Sequence, residues 1–115
     1  MIKCKRVYES PAKEDGYRVL VDRLWPRGVK KTDLQYDEWC KTLAPSTELR
    51  KAFHGEAIDF SAFRESYRQE LEAQKEEGKR LAARGTKSAV TLLYAAKDTE
   101  QNHALVLAEW LRALA

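Results

Sequence analysis

No apolar run in this chain approaches the ~20 residues that a membrane-spanning helix needs. The amino end, Met1-Ile2-Lys3-Cys4-Lys5-Arg6, has no apolar signal region either, so the expected location is the cytoplasm. Charge of one sign is also missing. Twenty-one Lys and Arg against 18 Asp and Glu give a formal net charge of +3, which gives little support to a general nucleic-acid coat. The chain has only 2 cysteines, Cys4 and Cys40, outside any CxxC pair and away from histidine at metal-ligand spacing. No metal site is expected from that pattern, and two reduced, half-buried thiols are. Internal repeats and low-complexity linkers are absent as well. What remains is 115 residues, 43% hydrophobic and 34% charged, enough for one domain spanning residues 1–115 with a single core.

The most informative segment is Val19-Leu20-Val21-Asp22-Arg23-Leu24-Trp25-Pro26-Arg27-Gly28. A short β-branched, apolar run reads as a buried strand, and Pro26 and Gly28 punctuate its end. Asp22 and Arg23 at the carboxyl end of such a strand are not core filler, because an unpaired buried charge is too costly. Open α/β sheets bind ligands at that edge.

Ile2 to Tyr8 and Tyr17 to Asp22 read as strands separated by a polar turn. Ala89 to Ala95 is a third strand, and its continuous apolar character predicts burial on both faces, as in a parallel sheet. Ser46 caps a short helix stopped by Gly55 after His54. Asp59 caps a longer one with Phe60, Phe63, Tyr67 and Leu71 on one face. Continued to Arg84, that helix would run about 37 Å at ~1.5 Å per residue, so a break near Gly78 is expected. Asn102 to Leu114 carries a broad apolar stripe and forms the last helix. Tyr36 to Leu43 fits a helix and a strand equally well.

With the strands parallel, three loops meet at one edge. The first brings Asp22, Arg23, Trp25 and Arg27; the second Ser46, Thr47 and Arg50; the third Tyr94, Lys97, Asp98, Asn102 and His103. Helix starts supply free N–H groups and a positive dipole end, and Arg23 and Arg27 add bidentate contacts to phosphate or carboxylate. His103, near a helix start that favours neutral imidazole, is the acid–base group together with Tyr94 if the site is catalytic. Duller readings stand beside these. Arg23 pairs with Asp22 or a helix carboxylate, Ser46 and Asp98 cap, His54 closes a helix, and Trp25 is a packed lid.

Four ordered stretches carry a resemblance to a known family. They are residues 19–28, Ala44-Pro45-Ser46-Thr47-Glu48-Leu49-Arg50, Phe53-His54, and Thr91 to Asp98 followed by Asn102-His103-Ala104. Across essentially its whole length the chain resembles the YeaO-like bacterial proteins, a cytosolic family of unknown function. The resemblance implies an α/β sandwich with a largely parallel sheet and tips Tyr36 to Leu43 toward a strand. A longer branch of the wider family carries Cys and Glu at positions 94 and 96 and Cys-His-Arg at 102–104. Only His103 keeps its type here, so thiol chemistry does not transfer.

The resulting expectation is a three-layer α/β sandwich with a small, largely parallel sheet and helices on both faces. A small anionic ligand, a phosphorylated metabolite or a nucleotide, sits at the carboxyl edge, with no cofactor. The alternative is a nucleic-acid-binding or regulatory protein using Lys30, Lys31, Arg23 and Arg27 with Trp25. A third is an adaptor whose basic loop meets an acidic partner. Whether the protein is an enzyme, and its oligomeric state, are not written in these residues.

Overall fold

The computed structural model describes residues 1–115. Four parallel strands, β1 (Ile2–Arg6), β2 (Tyr17–Leu20), β3 (Glu38–Trp39) and β4 (Val90–Tyr94), lie in the order β1-β4-β2-β3. The run Val90 to Tyr94 takes an interior position because every residue in it is apolar or, as Thr91, hydrogen-bonded, and all five are buried. β2 loses its strand neighbours after Leu20, earlier than the apolar run suggests, although Val21 N–H still donates to Leu93 O (3.0 Å).

The α-helices are α1 (Thr47–His54), α2 (Phe60–Glu72), α3 (Lys75–Lys87) and α4 (His103–Leu114). All four pack on one face, where Leu49, Phe63, Tyr67, Leu71, Leu81 and the α4 stripe meet Val19, Val90 and Leu92 in a single cluster. The α/β class and the parallel sheet are as expected. The other face carries no α-helix, in contrast to the expected helices on both faces. Leu20 and Leu93 there are roofed by Val7, Trp25, Val29 and Leu34, and a 310 turn, Lys13–Asp15, covers the rest. The roof is irregular because the β2–β3 link contains Pro26 and Gly28, the latter at φ +79°, and has no helical apolar period.

Tyr36 to Leu43 contains the two-residue β3, the strand alternative in part, followed by a 310 turn, Lys41–Leu43, in place of a helix over the segment. The long helical pattern breaks at Ala73 and Gln74, not at Gly78. Gly78 stays helical and buried because a Cβ there would collide with the Trp110 indole, so its absence lets α3 approach α4. Gly16 answers to a different constraint. At φ +64° it lies against Ala89, whose carbonyl accepts the Tyr17 N–H (3.0 Å).

Candidate functional site

Parallel strands end on the same side, so the segments that follow β2 and β4 leave the sheet together. Asp22 ties them: its Oδ2 accepts the Ala95 N–H at 3.0 Å. Its Oδ1 lies 2.8 Å from His103 Nε2, and both side chains are 15% exposed. Neither of these two buried atoms makes a hydrogen bond, to the other or to any other group, so the contact is one of proximity alone. His103 Nδ1 makes no hydrogen bond to a protein group either. Asn102 caps α4 by accepting the Leu105 N–H (3.1 Å) and donates to Asp98 O (2.9 Å), which fixes His103 as the first helical residue.

Arg23 leaves the same strand end and donates to Pro45 O (3.0 Å) and Ala44 O (3.2 Å), carbonyls just before α1. It meets neither Asp22 nor a helix carboxylate. These contacts bring the α1 start beside the β2 end, as the three-loop expectation requires.

A cleft of about 900 Å³ opens there. Of the residues singled out in the sequence, Asp22, Arg23, Trp25, Arg27, Arg50, Lys97, Asn102 and His103 line it. Ser46, Thr47 and Tyr94 do not. The Ser46 hydroxyl caps Leu49 N–H (3.2 Å), and both its N–H and its hydroxyl donate to Glu70 (2.9 and 2.6 Å), so a carboxylate from α2 already occupies that helix start. Thr47 is exposed outside the cleft. Tyr94 is buried beneath it, edge-on to His103 with ring centroids 6.4 Å apart, and burial pushes its phenol above the ordinary range.

The opposite wall was not visible as such in the sequence. Phe53, His54, Ile58, Phe60 and Phe63, from the α1–α2 junction, line it. Phe53 stacks on Phe63 (4.5 Å, 24°), and Phe60 lies 5.8 Å from Phe53. Phe60 and Phe63 read as core at helical spacing. Only the turn around Glu56, at φ +61°, leaves Phe53 and Phe60 half-buried at the cleft.

Trp25 is held more tightly than a free stacking platform would be. Its indole N–H donates to Val29 O (2.6 Å), and its ring meets Tyr36 and Trp39 edge-on. Lys31 Nζ lies over both indoles and Lys41 Nζ lies over Trp39, covering those faces.

The thiols sit away from this cleft. Cys4 donates to Ala104 O (3.4 Å), and burial pushes its pKa up to about 11, against the opposing charge of Arg112. Cys40 is buried, with a pKa likewise raised by burial, near Glu38 and Glu77 in a cluster tight enough for a metal ion. Arg80 already bridges those carboxylates, donating to Glu38 (3.0 Å) and Glu77 (2.7 Å). Sequence spacing could not flag this group, since its members lie on β3, the following residues and α3.

Residues 1–115 match a protein-family model described as the inactive DUF488-N3 subclade. The chain is 65% identical over 113 residues to the uncharacterized protein YeaO of Escherichia coli K12, covering 98% of each. It is 41% identical over 112 residues to uncharacterized proteins of Mycobacterium bovis and Mycobacterium tuberculosis, covering 96% of this chain and 92% of theirs. No solved structure matches. No helix is long and apolar enough to cross a membrane.

Proposed function

Because the chain belongs to the inactive DUF488-N3 subclade, we propose that the cleft at the carboxyl edge of its sheet holds a small anionic ligand, a phosphorylated metabolite or a nucleotide, without turning it over. The observation that carries this reading is the unequal pairing of the charges lining the cleft. Arg27, Arg50 and Lys97 have no carboxylate within ion-pair distance. Asp22, Asp59 and Asp98 are engaged: Asp22 by Ala95 N–H and His103, Asp59 by Ala62 N–H, Asp98 by the N–H groups of Glu100 and Gln101. Glu56 alone among the lining acids lacks such a partner.

Acidic and basic side chains line the cleft in equal number, but cations outside ion pairs are free to turn to a ligand, and guanidinium groups bind phosphate or carboxylate through paired hydrogen bonds. The start of α4 adds the positive end of its dipole. A volume of about 900 Å³ lies within the ~300–1,000 Å³ usual for small-molecule sites. Absence of turnover agrees with the subclade's description and with the burial of Tyr94 outside the cleft, which leaves His103 without that acid–base partner.

Thermal unfolding with and without pyrophosphate tests the reading. A ligand at 100 times its Kd stabilises the native state by about 2.7 kcal/mol. Wild type should show a rise of several degrees, and R27A/K97A should show little. Equal rises in both would remove the cleft from the account.

A further inference from the structure

We propose that the ligand of this cleft is a ribonucleoside phosphate, whose phosphate meets Arg27 and Lys97, whose base lies on Phe53 and Phe60, and whose ribose hydroxyl bonds to His103 Nδ1. The inference rests on the anion-binding reading above and adds the chemical class.

The cleft offers three different chemistries. Arg27 and Lys97 are exposed, unpaired cations on the segments that follow β2 and β4. Phe53 and Phe60 line the other wall as half-buried rings, and Phe63, buried behind them, stacks on Phe53 at 4.5 Å and 24°. A ring held by such backing keeps its orientation and presents a fixed aromatic surface. His103 is the third element. Its Nε2 faces Asp22 Oδ1 at 2.8 Å without a hydrogen bond, and its Nδ1 makes none to the protein. A hydroxyl is the complementary group.

Inorganic phosphate would use the cations alone and fill a corner of a cleft of about 900 Å³. A phosphorylated sugar would use the cations and His103 but leave the aromatic wall facing water. A planar aromatic ligand without phosphate would leave Arg27 and Lys97 unused. Only a ligand with an anionic group, a hydroxylated linker and a planar ring engages all three, and a ribonucleotide has that constitution. Stacking a base on an aromatic side chain accounts for roughly tenfold in affinity or more.

Calorimetric titration of the full chain with inorganic phosphate, ribose 5-phosphate, adenosine and adenosine monophosphate separates these contributions. The monophosphate should bind at least about tenfold more tightly than ribose 5-phosphate, and inorganic phosphate should be weakest. F60A should bring the monophosphate to the level of ribose 5-phosphate while leaving phosphate binding unchanged. F60L, which keeps the apolar volume but not the ring, should do the same and guards against a folding defect. Equal affinity for monophosphate and inorganic phosphate would overturn the nucleotide inference and leave the anion site standing. Adenosine binding as tightly as its monophosphate, or no binding by any of the four, would overturn the anion reading itself.

Discussion

Asp22 and His103, 81 positions apart in sequence, share one contact: Oδ1 of the first lies 2.8 Å from Nε2 of the second. Through it the end of β2 is fastened to the first turn of α4, while the other carboxylate oxygen holds Ala95 N–H. One side chain thereby fixes two of the three segments that frame the cleft. D22A should leave the imidazole without the carboxylate that faces it and the Ala95 N–H without an acceptor. A loss of about 2 kcal/mol is expected in urea unfolding, in line with the cost of unsatisfied buried polar groups. Hydrogen exchange at Ala95 should quicken by more than the global loss explains. An unchanged midpoint would mean that the contact holds nothing together.

Arg23 and Arg27, four residues apart, should behave differently on truncation. Arg23 is half-buried and satisfies two carbonyls before α1, so R23A should cost about 1–2 kcal/mol. Arg27 is exposed and offers its side chain to no protein carboxylate, so R27A should stay within about 0.5 kcal/mol of wild type. Paired denaturation curves check both, and the reverse ranking would contradict the assignment of Arg23 to structure.

Gly78 is one of two glycines inside α3, and alanine would normally add about 1 kcal/mol there. Here the added methyl meets the Trp110 indole, which is almost fully buried and hydrogen-bonded to Glu72 (3.1 Å). Overpacking of that kind costs about 1–3 kcal/mol, so G78A should lower stability on balance. A gain would show that α4 can move aside freely.

Asp15 is buried on the helix-free face between Lys5 and Arg18, with side chains 5%, 18% and 7% exposed. Burial alone would raise its pKa, but the Ala12 N–H and the two cations outweigh that and hold it below the usual value. A carboxyl depressed in the folded state contributes stability that is complete above its unfolded pKa of about 3.9. That stability is lost as pH falls from there through the native value. D15N should cost roughly 3 kcal/mol at neutral pH by leaving buried cations uncompensated, and should flatten the acid limb of the stability curve. A parallel acid limb in the variant would place the titration elsewhere.

The sheet edge was legible because strand ends announce themselves: the apolar runs stop at Asp22-Arg23 and at Lys97-Asp98, and parallel pairing aligns such ends. Caps at Ser46 and Asp59 were equally readable, since a short polar side chain before an apolar period has few other uses, whereas the cap of α4 is Asn102 and not Asp98. Three things were not. Glu70 reaching the α1 start is a tertiary contact with no local signature. The aromatic wall looked like core, because spacing records which residues share a helix face and not where that face ends. The Gly78 break failed because a glycine that lowers helix propensity can be present to admit a neighbour's indole.

The claim that the cleft binds an anion is most directly tested by titrating the 15N-labelled chain with pyrophosphate and following every amide. Saturable shifts confined to residues 22–28, the neighbourhood of Arg50, and residues 95–103 are expected, all lost in R27A/K97A. Shifts centred on Lys30, Lys31 and Lys41, or none at millimolar pyrophosphate, would contradict it.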